Sequence, residues 1–462
     1  MIWFFMLLWA LSAFGIGLAV LMVIDRHGRI RGPEALGLSF LTGVGLISVH
    51  LSAAGLLGMK FTRCLILVPW AAVFVISFFI SKAPLRERLG ARFTAPGRSE
   101  IIFVCLILFE VLYTLWRAVL KPMESYDSVA IYALKGKILY LAGAVPGNFF
   151  GFIANHFHGI HPDYPLFISM AETWVYVFTG AFNDFASKLI FPLAFAAFLA
   201  VFFSVLRRVI GSRRNALIFT FMLGSVAQFN NYAVIGCADM HMGIHFSLSL
   251  LYLYLWMREK NCPVFIFVSL IFGVFSLWTK NEGLVLADIV LAVLLVYTAR
   301  NFRGIDLRGA ACIILYSAVI GAAAAAWMIF RSGHGLVNEN LNPSMLTAGN
   351  LFKGLGRMPM ILYEYQKHVF GFKKWNIIWI LVLAAAVKCG RSCVRGDRLY
   401  ITLAMALFFA SYTAVYVFSA VEIDFLLRTT ASRFLIHILP VSVFWVAGIW
   451  SDSCVPKNTA AF

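Results

Sequence analysis

Charge is what this chain has least of. Only 13% of its 462 residues are Asp, Glu, Lys or Arg, against 61% hydrophobic residues, and the mean hydropathy is +0.86. Such a composition excludes a water-soluble globular enzyme and puts the chain in a bilayer. Acids are scarcer still, 21 against 38 Lys and Arg, for a formal net charge of +17. That excess invites a nucleic-acid partner, yet the basic residues sit in short loops between apolar runs, where lipid headgroups and topology account for them. Nucleic acid is set aside. The eight cysteines are scattered, with Cys389 and Cys393 the only close pair, so neither a disulfide framework nor a zinc cage is indicated. The first apolar run has no positive n-region and no small-residue cleavage site, and reads as a retained span. No soluble domain, low-complexity tail or clear internal repeat is visible.

What is abundant is apolar length. Runs long enough to cross a hydrocarbon core of about 30 Å recur from end to end. They cover 2–24, 36–58, 64–80, 101–120, 185–206, 215–234, 240–257, 263–279, 284–298, 309–330, 376–388, 399–419 and 434–450. The expected fold is all-α, a polytopic integral membrane protein with about thirteen transmembrane helices.

Alternate loops differ sharply in charge. The loops around 26–31, 82–98, 207–214, 258–260, 300–308 and 388–398 carry 21 Lys and Arg, whereas the short loops of the opposite set carry only Lys60, Arg63, Lys280, Arg428 and Arg433. The first set is expected in the cytoplasm, with the N-terminus outside and residues 451–462 forming a cytoplasmic tail. The stretch 165–180, PLFISMAETWVYVFTG, would invert every later loop if it crossed. It is expected to lie along or dip into the outer leaflet, with Glu172 facing protein or water. Two long loops, 121–184 and 331–375, fall on the outer side and read as functional. So do Glu124, Asp127, His161, Asp163, Tyr164, Asp239, Lys280, Arg428 and Arg433.

The first long loop opens with PMESYDSVAIYALKGK, residues 122–137. Ile131, Leu134, Ile138 and Leu141 form one stripe at helical spacing, flanked by Lys135 and Lys137, which predicts an interfacial helix with snorkelling lysines. Asp127 stands at its N-terminal end, as a site carboxylate or a helix cap. Farther on, NHFHGIHPDYPL at 155–166 offers His156, His158, His161 and Asp163. Their spacing matches no strong metal-ligand pattern, so no metal and no cofactor is assigned, although the residue types would suit a divalent ion. The Pro162–Pro165 bracket is expected to make a rigid turn presenting Asp163 and Tyr164.

Taken in order, these segments resemble the membrane-embedded GT-C glycosyltransferases, in particular the branch of protein O-mannosyltransferases and lipid A aminoarabinose transferases. In that family a span precedes an outer loop with an essential aspartate and then a P-P-L helix, here HPDYPLFISMAETWVYVFTG. A basic turn follows, here RRVIGSRR, then an outer end similar to NNYAVIGCADMHM with Asp239. The later T-K-G becomes WTKNEG with Lys280, and the C-terminal span entry looks like SRFLIHILP with Arg433. The resemblance covers roughly residues 100 to 450, which divides the chain into 1–100, three spans outside it, and 101–450, a GT-C-like catalytic module.

The resemblance implies a sugar donor linked through phosphate to a polyprenyl lipid, and a glycan, lipid or protein acceptor, in a bacterial plasma membrane with the site on the extracytoplasmic side. Asp127 suits the base that takes a proton from the acceptor hydroxyl. Lys280, Arg428 and Arg433 suit the growing charge on the phosphate. Asp239 either acts at the acceptor or serves only as a buried ion-pair partner. Glu124, His161, Asp163 and Tyr164 would line the substrate mouth. With one base and no double-displacement pair, inversion at the anomeric carbon is expected. A transporter or flippase for a lipid-linked or anionic substrate is the competing reading, although few ionisable residues lie mid-span.

Overall fold

A computed structural model describes residues 2–90, 97–157, 159–259, 262–338 and 343–452. Regular structure among these residues is helical, with no strand. Nine helices among them are long and apolar enough to cross a membrane: Phe4–Ile24, Pro33–Leu56, Arg63–Ile80, Arg98–Leu120, Asp184–Ile210, Glu282–Gly304, Leu307–Gly333, Arg398–Phe418 and Ile423–Ser451. The chain is therefore a multi-pass helical membrane protein. The other four apolar runs fold differently. Run 215–234 breaks after Gly224 into Arg213–Gly224 and Ala227–Tyr232, while 240–257, 263–279 and 376–388 lie in Asp239–Arg258, Pro263–Thr279 and Ile378–Cys389. Arg92, Lys260 and residues 453–462 of the expected tail lie outside the described residues.

The chain folds as two compact units. The first comprises Met1–Val205, Asn230–His241 and Trp278–Asn281, and the second Leu206–Phe229, Met242–Leu277 and Glu282–Phe462. The described residues before 100 thus group with the long loop that follows Leu120. A Cβ on Gly43 would lie 1.7 Å from the Ala13 carbonyl oxygen, and one on Gly17 1.8 Å from that of Ser39. The helices Ile2–Ile24 and Pro33–Leu56 therefore meet backbone to backbone, the close approach that small residues permit inside a bilayer. The second of them packs against the helix Phe167–Thr179, and its Ser52 hydroxyl accepts a hydrogen bond from Trp278 Nε1 at 3.2 Å.

The loops of this unit sort to two ends. At one end Lys82 N–H donates to the Arg26 carbonyl at 2.9 Å, and Arg88, sealed from solvent, pairs with Asp25 at 2.9 Å. Asp25 also accepts the N–H groups of Arg29 and Ile30. At the other end Arg63 donates to the carbonyls of Val177 and Phe178, and Phe61 N–H to that of Gly143 at 2.6 Å. Charge alternation in the sequence predicts this same grouping, 26–31 with 82–88 and 60–63 with the long loop.

In the second unit, Ser269 Oγ donates to the Ser249 carbonyl at 2.6 Å and Ser249 Oγ to the Ser269 carbonyl at 3.0 Å. This reciprocal pair fastens Asp239–Arg258 to Pro263–Thr279. Arg357 donates to the carbonyls of Tyr416 and Ser419, closing the C-terminal end of Arg398–Phe418.

Removing one partner of a buried pair strands the other charge, at a cost of about 3–5 kcal/mol. Arg88→Ala should therefore lower the melting temperature of the detergent-solubilised protein sharply, whereas Asp25→Leu combined with Arg88→Met should recover most of it. A single variant that melts like the parent would show that the pair carries no stability.

Candidate functional site

The helix Arg98–Leu120 ends where Lys188 Nζ donates to the carbonyls of Lys121 and Pro122, at 2.8 and 2.9 Å. These are the acceptors a helix C-terminus leaves without partners of its own. Glu124, just beyond, is exposed and pairs with Lys121 at 3.4 Å. It belongs to the surface. Asp127, half-buried, is the first residue of a π-helical stretch, Asp127–Ala133, that runs into the helix Leu134–Ala142.

Across this stretch and the helix after it, the side chains buried in protein include Ile131, Tyr132, Lys135, Gly136 and Leu139, while Leu134 and Ile138 are partly exposed and Leu141 is exposed. Lys135, expected to snorkel, is instead buried: the wider i→i+5 turn before it adds a residue and turns its side chain toward the protein.

The loop that leads into Asp239 meets the start of the Asp127 stretch at a glycine. Gly236, at φ +85°, is placed so that a Cβ would lie 3.0 Å from the Ser128 Cβ and 3.3 Å from Met123 Sδ, and Cys237 Sγ lies 3.5 Å from Ser125 Oγ. Any larger residue would hold the 232–239 loop away from 123–128 and would strain a left-handed backbone.

Behind this loop lies a cluster of charges. Asp239 is fully buried and accepts from Lys280 Nζ at 3.2 Å; the Lys280 side chain is 2% exposed. The same ammonium stands 5.4 Å from the centre of the Tyr164 ring, within reach of a cation–π attraction. Tyr164 stacks on His161, with centroids 4.5 Å apart and planes 9° from parallel. Asp163, also buried, accepts from Asn281 Nδ2 at 2.5 Å and lies 3.8 Å from His161 Nδ1. The Pro162–Pro165 turn therefore aims Asp163 and Tyr164 inward, onto Asn281 and Lys280. Lys135 Nζ donates to the His161 carbonyl at 2.6 Å. Burial pushes the Lys135 ammonium down to about 7, opposed by the charge of Asp163.

Residues distant in sequence thus converge: Lys135, the 161–164 turn, Asp239 and the 280–281 pair, with the Asp127 stretch alongside. Two buried lysines face two buried aspartates, the balance a low-dielectric site needs. His161, with its side chain 27% exposed, is more open than Asp163, Asp239, Lys135 or Lys280. Arg428 and Arg433 belong to the second unit. Arg428 is exposed and bound to Asp424 one turn earlier in its own helix, whose first N–H groups are capped by Glu422. Among the described residues no three His, Cys, Asp or Glu are placed to hold a metal ion. His156 is exposed and bonded to the Phe152 carbonyl, and His158 lies outside the described residues.

The sequence reading left out Lys135 and Asn281. Asn281 sits next to Lys280, and its signal is adjacency alone. Lys135 follows Asp127 by two turns, but its direction depends on the π stretch, which leaves no mark in the composition. Compared with protein-family models, with curated proteins and with solved structures, the chain matches none of them.

Behind the cluster, Phe167–Thr179 is a 13-residue helix, about 20 Å long and too short to cross. Glu172 on it is wholly buried, and its carboxyl oxygens have no hydrogen-bond partner among the described residues. They pack against Gly136, where a Cβ would stand 3.3 Å from Oε2. Burial first, and the charge of Asp184 second, hold this carboxyl well above the ordinary range. A raised carboxyl contributes stability that is full at acid pH and is lost as the pH climbs through the raised value. Glu172→Gln keeps the shape without the proton. Its melting temperature should fall less than the parent's as the pH rises above the ordinary carboxylate range; parallel curves would mean that the carboxyl of the folded protein is not raised.

Proposed function

We propose that this protein is a glycosyltransferase that moves a sugar from a polyprenyl-phosphate donor to an acceptor hydroxyl at the extracytoplasmic face of a bacterial plasma membrane. The observation that carries the reading is the meeting of Lys280, Asp239 and the 161–164 turn beside the Asp127 stretch. It joins the segments that carry the GT-C resemblance, and it offers a carboxylate and a cation to one reacting group.

In this reading the acceptor oxygen attacks the anomeric carbon while Asp127 takes its proton. The bond from that carbon to the phosphate oxygen breaks, and the polyprenyl phosphate leaves as an anion. A carboxylate within about 3 Å of the hydroxyl performs the first task. Lys280 answers the charge on the leaving phosphate, because a cation in a water-poor site acts strongly on charge that grows during reaction. Asp239 holds that ammonium ready. Tyr164 and His161 offer ring faces to the sugar, with Glu124 at the rim and Asp163 setting the turn. No metal is invoked. The loop charges call for thirteen crossings in all, with Leu134–Ala142 and Phe167–Thr179 at the outer interface.

Asp127→Asn should lower turnover by about 10²- to 10⁴-fold with normal expression, measured as polyprenyl phosphate released from a glycosyl lipid in detergent. Unchanged turnover would remove Asp127 as base, and a product with retained configuration would remove it as sole base. Lys280→Met should cost about 10²- to 10³-fold. A transporter would release nothing in detergent and would need closed vesicles, so that result would favour the competing class.

A further inference from the structure

A lysine buried to 2% exposure is a strange occupant for the middle of an outer-loop helix. Its ammonium is costly to desolvate, and Met would fill the same volume without that cost. The geometry around it supplies the reason. Lys135 rises from a fixed platform, because Leu134–Ala142 is docked on Phe167–Thr179 through two hydroxyls. Ser169 Oγ donates to the Tyr132 carbonyl at 3.0 Å and Thr173 Oγ1 to the Gly136 carbonyl at 3.2 Å. Gly136 lets the two helices close, since a Cβ there would stand 3.1 Å from the Ser169 carbonyl oxygen.

From this platform the side chain makes one hydrogen bond among the described residues, to the carbonyl of His161, 26 positions along the chain. That carbonyl is doubly held, since the Tyr164 N–H also donates to it, at 3.1 Å. His161 itself sits at φ +49°, a left-handed backbone that a side-chain-bearing residue adopts only when its surroundings impose it. The bond from Lys135 is one such constraint. The orientation of the Tyr164 ring under Lys280 follows from the turn it closes.

We infer that Lys135 is a positioning residue, a strut that fixes the His161–Tyr164 turn and so holds Tyr164 and Lys280 in the arrangement that receives a lipid phosphate. The ligand half of this statement rests on the function proposed above; the strut half does not. Charged or neutral, the lysine keeps an N–H for the carbonyl, so the role needs a donor of this reach more than it needs a charge.

The full-length protein in detergent tests both halves. Hydrogen–deuterium exchange reads the turn, and binding of farnesyl phosphate reads the site. In Lys135→Met, exchange across 159–166 should quicken about tenfold while that of Phe167–Thr179 stays as in the parent, and farnesyl phosphate should bind about tenfold more weakly. Lys135→Gln restores an N–H donor without the charge, and should bring both readouts back to within about threefold. A purely structural lysine would loosen both segments together and would not respond to the restored donor. Unchanged exchange at 159–166 in Lys135→Met overturns the strut. Should Lys135→Met fail to fold, Lys135→Gln decides, since exchange as slow as the parent's supports a donor role and fast exchange overturns it. If the parent binds no farnesyl phosphate while the exchange pattern holds, the donor-lipid reading fails and the strut stands.

Discussion

An ammonium group sealed from water must be answered by a carboxylate or a carbonyl, and that requirement organises the first unit of this protein. Lys280 meets it with Asp239, across 41 positions of chain. The pairing forces the residue that follows one helix and the residue that opens another to a common point. Tyr164 and Asp163 are then drawn to Lys280 and to its neighbour Asn281. The same constraint acts at the opposite end of the first unit, where Asp25 and Arg88 bring two loops together. In a chain so poor in charge, each buried ion pair settles where several segments of backbone go.

The N-terminal helices gain a role from this geometry. Glycine contacts between Ile2–Ile24 and Pro33–Leu56 make a wall with little room to move, and the Glu172 helix rests on it. Leu134–Ala142 rests in turn on the Glu172 helix. Each layer limits the next, and such backing fixes the separation of the buried charges it carries. The helices Ile2–Ile24 and Pro33–Leu56 are thus the foundation on which Phe167–Thr179 and Leu134–Ala142 rest, even though the family resemblance leaves them out.

Several of these relations were open to a reader of the sequence. The Pro162–Pro165 bracket, a lysine beside an asparagine after an apolar run, and an aspartate opening another run each mark a place where backbone must bend or a charge must be answered. The alternation of basic loops sorted the ends of the first unit as the structure does. Lys135 was expected to snorkel, and the π stretch turned it inward instead. Glu124 looked equivalent to Asp127 on spacing and chemistry, yet it lies on the surface with Lys121. Nothing local distinguishes the two, since exposure depends on what packs against them. Arg428 drew attention as a cation near a span and proves to be committed to Asp424 in the preceding turn.

By itself the sequence determined that the chain lives in a bilayer, that it is helical, and that most of its apolar runs fall in long helices. Those properties follow from transfer free energies and backbone hydrogen bonding, which sum over short windows and need no knowledge of distant residues. Only the tertiary structure decided which charges meet. The partners of Lys135, Asp163 and Lys280 are 26, 118 and 41 positions away, and such pairings depend on how helices rotate and close on one another. A single wide turn or a single glycine contact changes that rotation, and neither has a reliable signature in the residues that produce it.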